Sequence, residues 1–323
     1  KKGLISLEHA SGLDTLSSAC ALTSFFSPSA KTSWGVCEPL SSDMKARISF
    51  LDFQPRVIES LESFDVVVCV DFRSPNQAGD LSEHFRSFEG EVVLLDHHHP
   101  STREFTNVKQ FILRPASSST AQMVAELGMA MDSSFSKSVS LILAAAMISD
   151  SARFAFANAE TFRVFDFLLQ KSGKTYEEVL AIAIPVVSIS HRVSVFRAIK
   201  DAKLVGVGNY LLASVEAPYE NAPAANAMIQ LGADVSIGIF RTGKSVSASV
   251  RVSNRAHRDI QFDAMKILLP FATEHNATAG GHARAAQINL PAYFSESVLI
   301  DLFSRELLMR VKKNDNSARI TIY

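Results

Sequence analysis

The sequence predicts an α/β protein of two domains. A parallel-sheet domain spans 1–188, a connector helix 189–202, and a smaller α/β domain with a mixed sheet 203–323. Three observations carry this expectation. At 323 residues the chain exceeds the ~250–300 at which single cores stop growing. In the first half, short apolar runs alternate with helical patterns, the rhythm of a parallel sheet covered on both faces. Beyond residue 190 several strands alternate apolar with polar residues, as expected of a mainly antiparallel or mixed sheet.

Taken in order, the first domain opens with a strand over 4–7, a helix rich in small residues over 16–26 and a strand over 32–36. Mixed apolar and charged positions predict a helix over 47–64, and DVVVCV over 65–70 is a buried-strand pattern ending on Asp71. The cluster Ser74-Pro75-Asn76-Gln77 breaks the chain before a short helix over 80–88. Val92 to Leu95 and Phe111 to Leu113 follow as strands. The hydroxyls of Ser117, Ser118, Ser119 and Thr120 cap a helix over 121–127, and an apolar helix over 134–148 delivers Asp150 at its end. Helices over 159–170 and 175–184 come next, with Pro185 as the stop.

The second domain is expected to place strands at 204–207, 210–215, 235–240 and 246–252. Its helices fall at 224–231, where Pro223 suits the first turn, and at 262–271 and 295–311, before a last strand at 319–323. No internal repeat, heptad or low-complexity segment is present.

Composition narrows the function. Lys and Arg number 32 against 33 Asp and Glu, so the basic excess of a protein that tracks long nucleic acid is missing, while short or small phosphorylated substrates stay open. Cys20, Cys37 and Cys69 lack paired metal spacing and read as reduced, buried residues. No apolar run reaches the ~18 residues of a membrane span, so a soluble, cytoplasmic protein without a membrane partner is expected.

The chemistry-bearing stretch is EVVLLDHHHP over 91–100. It puts Asp96, His97, His98 and His99 where a strand leaves the sheet, the edge at which open parallel sheets bind ligands. A single His there would be a solvated loop residue; an Asp followed by three imidazoles calls for a divalent metal. Asp71 and Asp150 also end apolar segments, and Asp14 follows the first strand near His9. In a parallel sheet these ends converge on one edge. Carboxylates and imidazoles without Cys suit manganese or a similar ion, and such a site serves hydrolysis at phosphorus. Ala279-Gly280-Gly281-His282 reads as a small turn whose backbone N–H groups could cradle a phosphate, although a lone Gly-Gly-His is more often structural.

The order of these motifs resembles the DHH phosphoesterase superfamily: His9 to Asp14, VVVCVD at Asp71, LLDHHHP at Asp96, MISDSARF at Asp150 and AGGHARAA at His282. Within it the chain is similar to members with a C-terminal DHH-associated domain, such as nanoRNase and pAp phosphatase, RecJ-like nucleases and cyclic-dinucleotide phosphodiesterases. The resemblance implies an active-site cleft between the two domains and one or two divalent ions, manganese by preference. Asp14, Asp71, His97 and Asp150 match the ligands of one ion, and His9 with the shared Asp71 match the other. It also implies that Asp71 and His98 are catalytic, His98 facing the phosphate or leaving group, and that Asp96 orients its neighbours.

The family's first motif carries a carboxylate two residues before the position of Asp14, where this chain has Gly12. Arg251 matches the family's phosphate-binding Arg, with Gly280, Gly281 and His282 as further substrate-binding residues. Arg255, His257 and Arg258 extend a basic patch, and Asn254 is a candidate for reading base or sugar. Asn76 and Arg153 lie next to expected ligands. His84, His191 and His275 are expected to be ordinary helix or loop residues, and His99 an extra imidazole.

The expected partners are short RNA, DNA or nucleotide substrates, with a homodimer allowed. Two rival readings remain. One is a catalytically impaired relative that binds nucleotides or docks a partner, motivated by Gly12. The other is a polyphosphate or pyrophosphate hydrolase of the sister branch, against which the AGGHARAA segment counts.

Overall fold

Six short strands pair side by side as the sheet of the first unit, Lys1–Val186, and seven as that of the second, Val187–Tyr323. The structure is a computed structural model. It describes residues 2–6, 12–52, 54–71, 75–98, 108–155, 157–184, 187–218 and 221–323, with backbone alone at 2–6, 75 and 76.

In the first unit the strands are β1 (Lys2–Ser6), β2 (Lys31–Val36), β3 (Arg56–Val57), β4 (Val66–Val70), β5 (Glu91–Asp96) and β6 (Val108–Leu113). They lie in the order β3-β2-β1-β4-β5-β6, every pair parallel. The two-residue period of a strand sorts their side chains onto two cores. Val70 and Leu95 join helices α1 (Leu13–Phe26), α4 (Thr120–Ala130), α5 (Lys137–Asp150), α6 (Ala159–Ser172) and α7 (Tyr176–Ala183) on one face. Val67, Cys69, Val92 and Leu94 face Leu81 and Phe85, the latter from α3 (Ser82–Ser87), on the other. Small residues explain how α1 can be buried almost all round: Ser17, Ser18, Ala19 and Ala21 let α5 approach closely.

The helix expected over 47–64 does not form. The chain makes only α2 (Ser42–Arg47) before turning toward β3, because Pro55 can neither donate a backbone bond nor follow a helical residue. Gln54 stabilises the turn by donating to the carbonyls of Ile48 and Leu51, both at 3.1 Å. All three cysteines are buried thiols outside any disulfide, and burial followed by nearby Asp52 raises the Cys20 thiol to about 12.

The second unit begins with α8 (Ile189–Lys200), the span expected as a connector, whose Ala198 packs with Ala213, Val215 and Met228. Its strands are β7 (Lys203–Val207), β8 (Tyr210–Glu216), β9 (Val235–Arg241), β10 (Ser245–Val252), β11 (Thr278–His282), β12 (Ala285–Pro291) and β13 (Ile320–Ile322). The order is β11-β12-β10-β9-β8-β7-β13, and only the pairing of β8 with β9 is parallel, which gives a mixed sheet. One face carries α9 (Asn221–Gln230) and α8, the other α10 (Asn254–Ile260), α11 (Ala264–Glu274) and α12 (Glu296–Val311). Strand β12 and helix α10 lie outside the sequence expectation, although Ala286, Ile288 and Leu290 alternate with Gln287 and Asn289 as an edge-proximal strand should. Among the described residues no helix is long and apolar enough to cross a membrane.

Candidate functional site

The carboxyl ends of β4 and β5 lie side by side, and the residues that leave them build the first cluster. Asp71 follows β4 directly, with its N–H donating to the carbonyl of Leu95 at 2.8 Å and its backbone in the left-handed region at φ 56°. Such a conformation strains any residue but Gly and is tolerated by Asp better than by most. The bend aims the carboxylate back over the sheet edge, where Oδ2 accepts from the Thr15 hydroxyl at 3.2 Å.

His97 comes one residue after β5. Its Nδ1 sits 3.3 Å from the Ser117 carbonyl, an acceptor, so Nδ1 carries the proton and Nε2 is left to face the cluster. Nε2 lies 3.1 Å from Asp150 Oδ2 and 3.8 Å from Asp71 Oδ1. Asp150 arrives as the last residue of α5 and Asp14 in the first turn of α1. Asp14 is buried, and its two oxygens accept the N–H groups of Thr120 at 2.8 Å and Ala121 at 2.7 Å. It thereby caps α4, a place where the helix dipole favours a negative charge.

Asp14, His97 and Asp150 form one triplet able to hold a metal ion, and Asp71, His97 and His98 another, each with donor atoms within 4.8 Å of one another. In the second triplet, however, His98 Nδ1 is already 2.8 Å from Asp96 Oδ1, which also accepts the His98 N–H at 3.1 Å. The two triplets share His97, with Asp14 and Asp150 on one side of it and Asp71 on the other, while Asp96 grips His98.

Electrostatics test whether the cluster fits a cation. Burial raises the Asp14 carboxyl well above its usual value, and the Asp150 and Asp71 charges raise it further. Burial lowers the His97 imidazole, but Asp150 and Asp14 outweigh it and the net direction is up. His98 likewise overcomes burial through Asp71 and Asp96 and rises to about 10. The two imidazole shifts share one cause, neighbouring negative charge of the kind that draws in a cation, and the same charges add to the effect of burial at Asp14. Asp71 Oδ1 and His97 Nε2 are buried and make no well-formed hydrogen bond, although His98 Nδ1 and Asp150 Oδ2 respectively lie 3.1 Å away, an expensive arrangement unless something else binds them. Ligands at about 2.1 Å from a divalent ion lie roughly 3 Å from each other, close to the His97–Asp150 separation. The residues fit a divalent metal.

Of the other expected residues, His9 and His99 lie outside the described residues, as does the side chain of Asn76. Gly12 is described. It stands at the N-cap of α1 with φ −67°, carries no carboxylate, and a Cβ there would meet nothing closer than Thr15 Oγ1 at 3.8 Å. Arg153 is exposed in a run of three left-handed residues, Ala152 to Phe154, and makes no side-chain bond among the described residues. Sequence reasoning missed Thr15, Ser117 and the Thr120 and Ala121 N–H groups. The run Ser117 to Thr120 signalled a helix start, but not that an Asp a hundred residues earlier would help to cap it.

In the second unit, Arg251 of β10 shares a concavity of about 530 Å³ with Ser249, Gly280, Gly281 and Gln287. Arg251 Nε donates to Asn226 Oδ1 at 2.9 Å and Nη1 to the Val250 carbonyl at 3.0 Å, and burial holds its pKa below the ordinary value. The Gly-Gly-His segment is an edge strand rather than the expected turn, with Gly280 opposite Gln287 and Gly281 opposite Ala286. Gly281 has φ 126°, and a Cβ there would sit 2.3 Å from the Ala285 carbonyl oxygen, so only glycine fits. His282 is exposed at the end of this strand and accepts the Arg284 N–H at Nδ1, 3.3 Å away.

The expected basic patch is occupied elsewhere. Arg255 lies over Tyr210 and bonds Asp234, His257 Nδ1 meets the Phe262 carbonyl at 3.0 Å, and Arg258 pairs with Asp259. Neither these residues nor Asn254 line the Arg251 concavity.

Comparison with known proteins agrees with this architecture. Residues 4–148 match the family described as "DHH family, N-terminal domain". An uncharacterised protein of Methanocaldococcus jannaschii is 24% identical over 234 residues, covering 72% of this chain and 69% of the relative. Among solved structures, an exopolyphosphatase-related protein from Bacteroides fragilis is similar in fold, with a TM-score of 0.72 and 18% identity over 97% of this chain and 93% of that one. A DHH domain from a protein described as a member of a family of ribosomal proteins is similar with a TM-score of 0.61 and 14% identity, over 95% of this chain and 87% of that one. The first unit thus carries a match to the DHH family's N-terminal domain over residues 4–148.

Proposed function

We propose that the chain is a metal-dependent phosphoesterase that hydrolyses short oligonucleotides or small phosphorylated nucleotides. The observation that carries this reading is the pair of buried donors Asp71 Oδ1 and His97 Nε2, which make no well-formed hydrogen bond, with Asp14 and Asp150 beside His97 at the carboxyl edge of a parallel sheet. Asp14, Asp71, His97 and Asp150 would hold a divalent ion, and manganese suits their mixture of carboxylate oxygen and imidazole nitrogen. When bound, such an ion supplies Lewis acidity, activating water and offsetting charge on phosphoryl oxygens.

The chain's own residues do the rest. Thr15 and the Leu95 carbonyl fix Asp71, and Ser117 fixes the His97 ring, so both donors are set before substrate arrives. His98, held protonated between Asp96 and Asp71, donates to the leaving oxygen. In the second unit, Arg251 supplies charge for a substrate phosphate, and the edge strand at Gly280 and Gly281 presents backbone with no side chain in the way. His282 extends this binding surface, and His9 would remain as part of a second ion site.

One specific observation favours a second reading, a nucleotide-binding or partner-docking protein with impaired catalysis. Gly12 leaves the first motif one carboxylate short, although among the described residues a Cβ there would meet only Thr15 Oγ1 at 3.8 Å. The deciding experiment is metal stoichiometry with manganese-dependent hydrolysis of a dinucleotide, a 3′,5′-bisphosphonucleotide, a cyclic dinucleotide and short polyphosphate, in wild type and Asp71→Asn. The last substrate enters because a protein of similar fold is described as exopolyphosphatase-related. Turnover lost in Asp71→Asn supports the enzyme; bound metal without turnover of any substrate supports the binding protein.

A further inference from the structure

We propose that the first unit carries a second ligand site, for a phosphate-bearing molecule of mononucleotide size, at the amino-terminal edge of its sheet. A concavity of about 600 Å³ lies there, within the ~300–1,000 Å³ of small-molecule sites. It is lined where β2 begins, at Lys31, and just before β4 begins, at Ser63. The candidate metal ligands follow the opposite ends of β4 and β5, so a strand length of roughly 17 Å separates the two places.

The lining has the chemistry of an anion site. Lys31 and Arg56 both face it, both are exposed, and neither makes an ion pair among the described residues. Among the described residues no Asp or Glu lines the concavity to neutralise them. Ser27 and Ser63, both exposed, add hydroxyls to the same lining that can donate to phosphoryl oxygens. Gln54 donates its amide N–H groups to the Ile48 and Leu51 carbonyls, which fixes its side chain in the wall with the carbonyl oxygen outside those bonds. Trp34 adds apolar wall for the body of the ligand.

Trp34 is the one tryptophan of the chain, so its fluorescence reports on this place. AMP titrated into the full chain should change Trp34 emission saturably, with a matching calorimetric isotherm. In Lys31→Gln/Arg56→Gln the affinity should fall about tenfold or more, as expected for loss of charge-assisted contacts at two exposed positions that the fold does not need. In Asp71→Asn the affinity should stay at the wild-type value, whether or not that variant retains turnover. The proposal is overturned if AMP up to about 1 mM gives neither signal. It is equally overturned if a correctly folded Lys31→Gln/Arg56→Gln protein binds as well as wild type, or if binding is lost only in Asp71→Asn.

Discussion

The cluster around His97 and the concavity around Arg251 differ in how far each is complete by itself. Around His97, Asp71 Oδ1 and His97 Nε2 are buried without a well-formed hydrogen bond, and neighbouring carboxylates push the His97 and His98 imidazoles up against burial. At Arg251 the guanidinium already bonds Asn226 and the Val250 carbonyl, and the adjacent strand is paired along its length. A site that is unsatisfied when empty is poised to bind an ion tightly, because binding removes a cost the fold already carries. A satisfied site contributes a surface whose groups need only turn outward. The first arrangement suits chemistry, the second suits holding.

The largest expected effect breaks the first arrangement. Asp71→Asn keeps the shape but replaces a charged donor 3.8 Å from His97 Nε2 and 3.1 Å from His98 Nδ1. Losing an outer partner of a metal ligand typically costs about 10–100-fold, so losing the ligand itself should lower kcat/KM by at least about 100-fold and reduce bound metal together with it. Steady-state kinetics and elemental analysis on the same preparation check both. Full metal content with full activity would remove Asp71 from the site.

Arg251→Ala should affect holding instead of chemistry. One charge-assisted contact to phosphate is worth about 1.5–3 kcal/mol, which corresponds to a rise in KM of roughly 10–100-fold, with kcat changing much less and metal content unchanged. A fall in kcat at constant KM would erase the distinction between the two sites. Gly281→Ala sharpens it from the side of stability. A Cβ at φ 126° would meet the Ala285 carbonyl oxygen at 2.3 Å, so the edge strand must shift, at a cost of about 1–3 kcal/mol. Thermal unfolding should show a lower Tm, and the metal content of the first unit should not change.

The same contrast explains what could be read in the sequence. Val66 to Val70 and Val92 to Leu95 are uninterrupted apolar runs, and a parallel sheet makes their carboxyl ends share an edge, so the gathering of Asp71, His97 and His98 follows from local pattern and a topological rule. The helical expectation over 47–64 failed because charged and apolar positions there fit a helix by period, while Pro55 and the Gln54 side chain favour a turn. Gly280 to His282 reads as a turn because glycines usually mark one. Its pairing with Ala285 to Gln287 depends on a long-range register that composition does not encode. Asp14 shows the same limit, since the N–H groups that hold it belong to Thr120 and Ala121, more than a hundred residues away.

The smallest expected change in stability tests the open question at the first site. Gly12→Asp would supply the carboxylate that the family's first motif carries. The position is the N-cap of α1, its φ of −67° is ordinary for any residue, and the new Cβ would meet only Thr15 Oγ1 at 3.8 Å. An Asp cap replacing Gly changes helix stability by only a few tenths of a kcal/mol, so Tm should hardly move. The metal count is the sensitive readout. If the missing carboxylate is what limits the second ion, the variant should bind one more manganese per chain than wild type and turn over substrate faster. An unchanged count, in a protein that folds as wild type does, would mean that the cluster around His97 works with the ion it already binds and that Gly12 is part of its design.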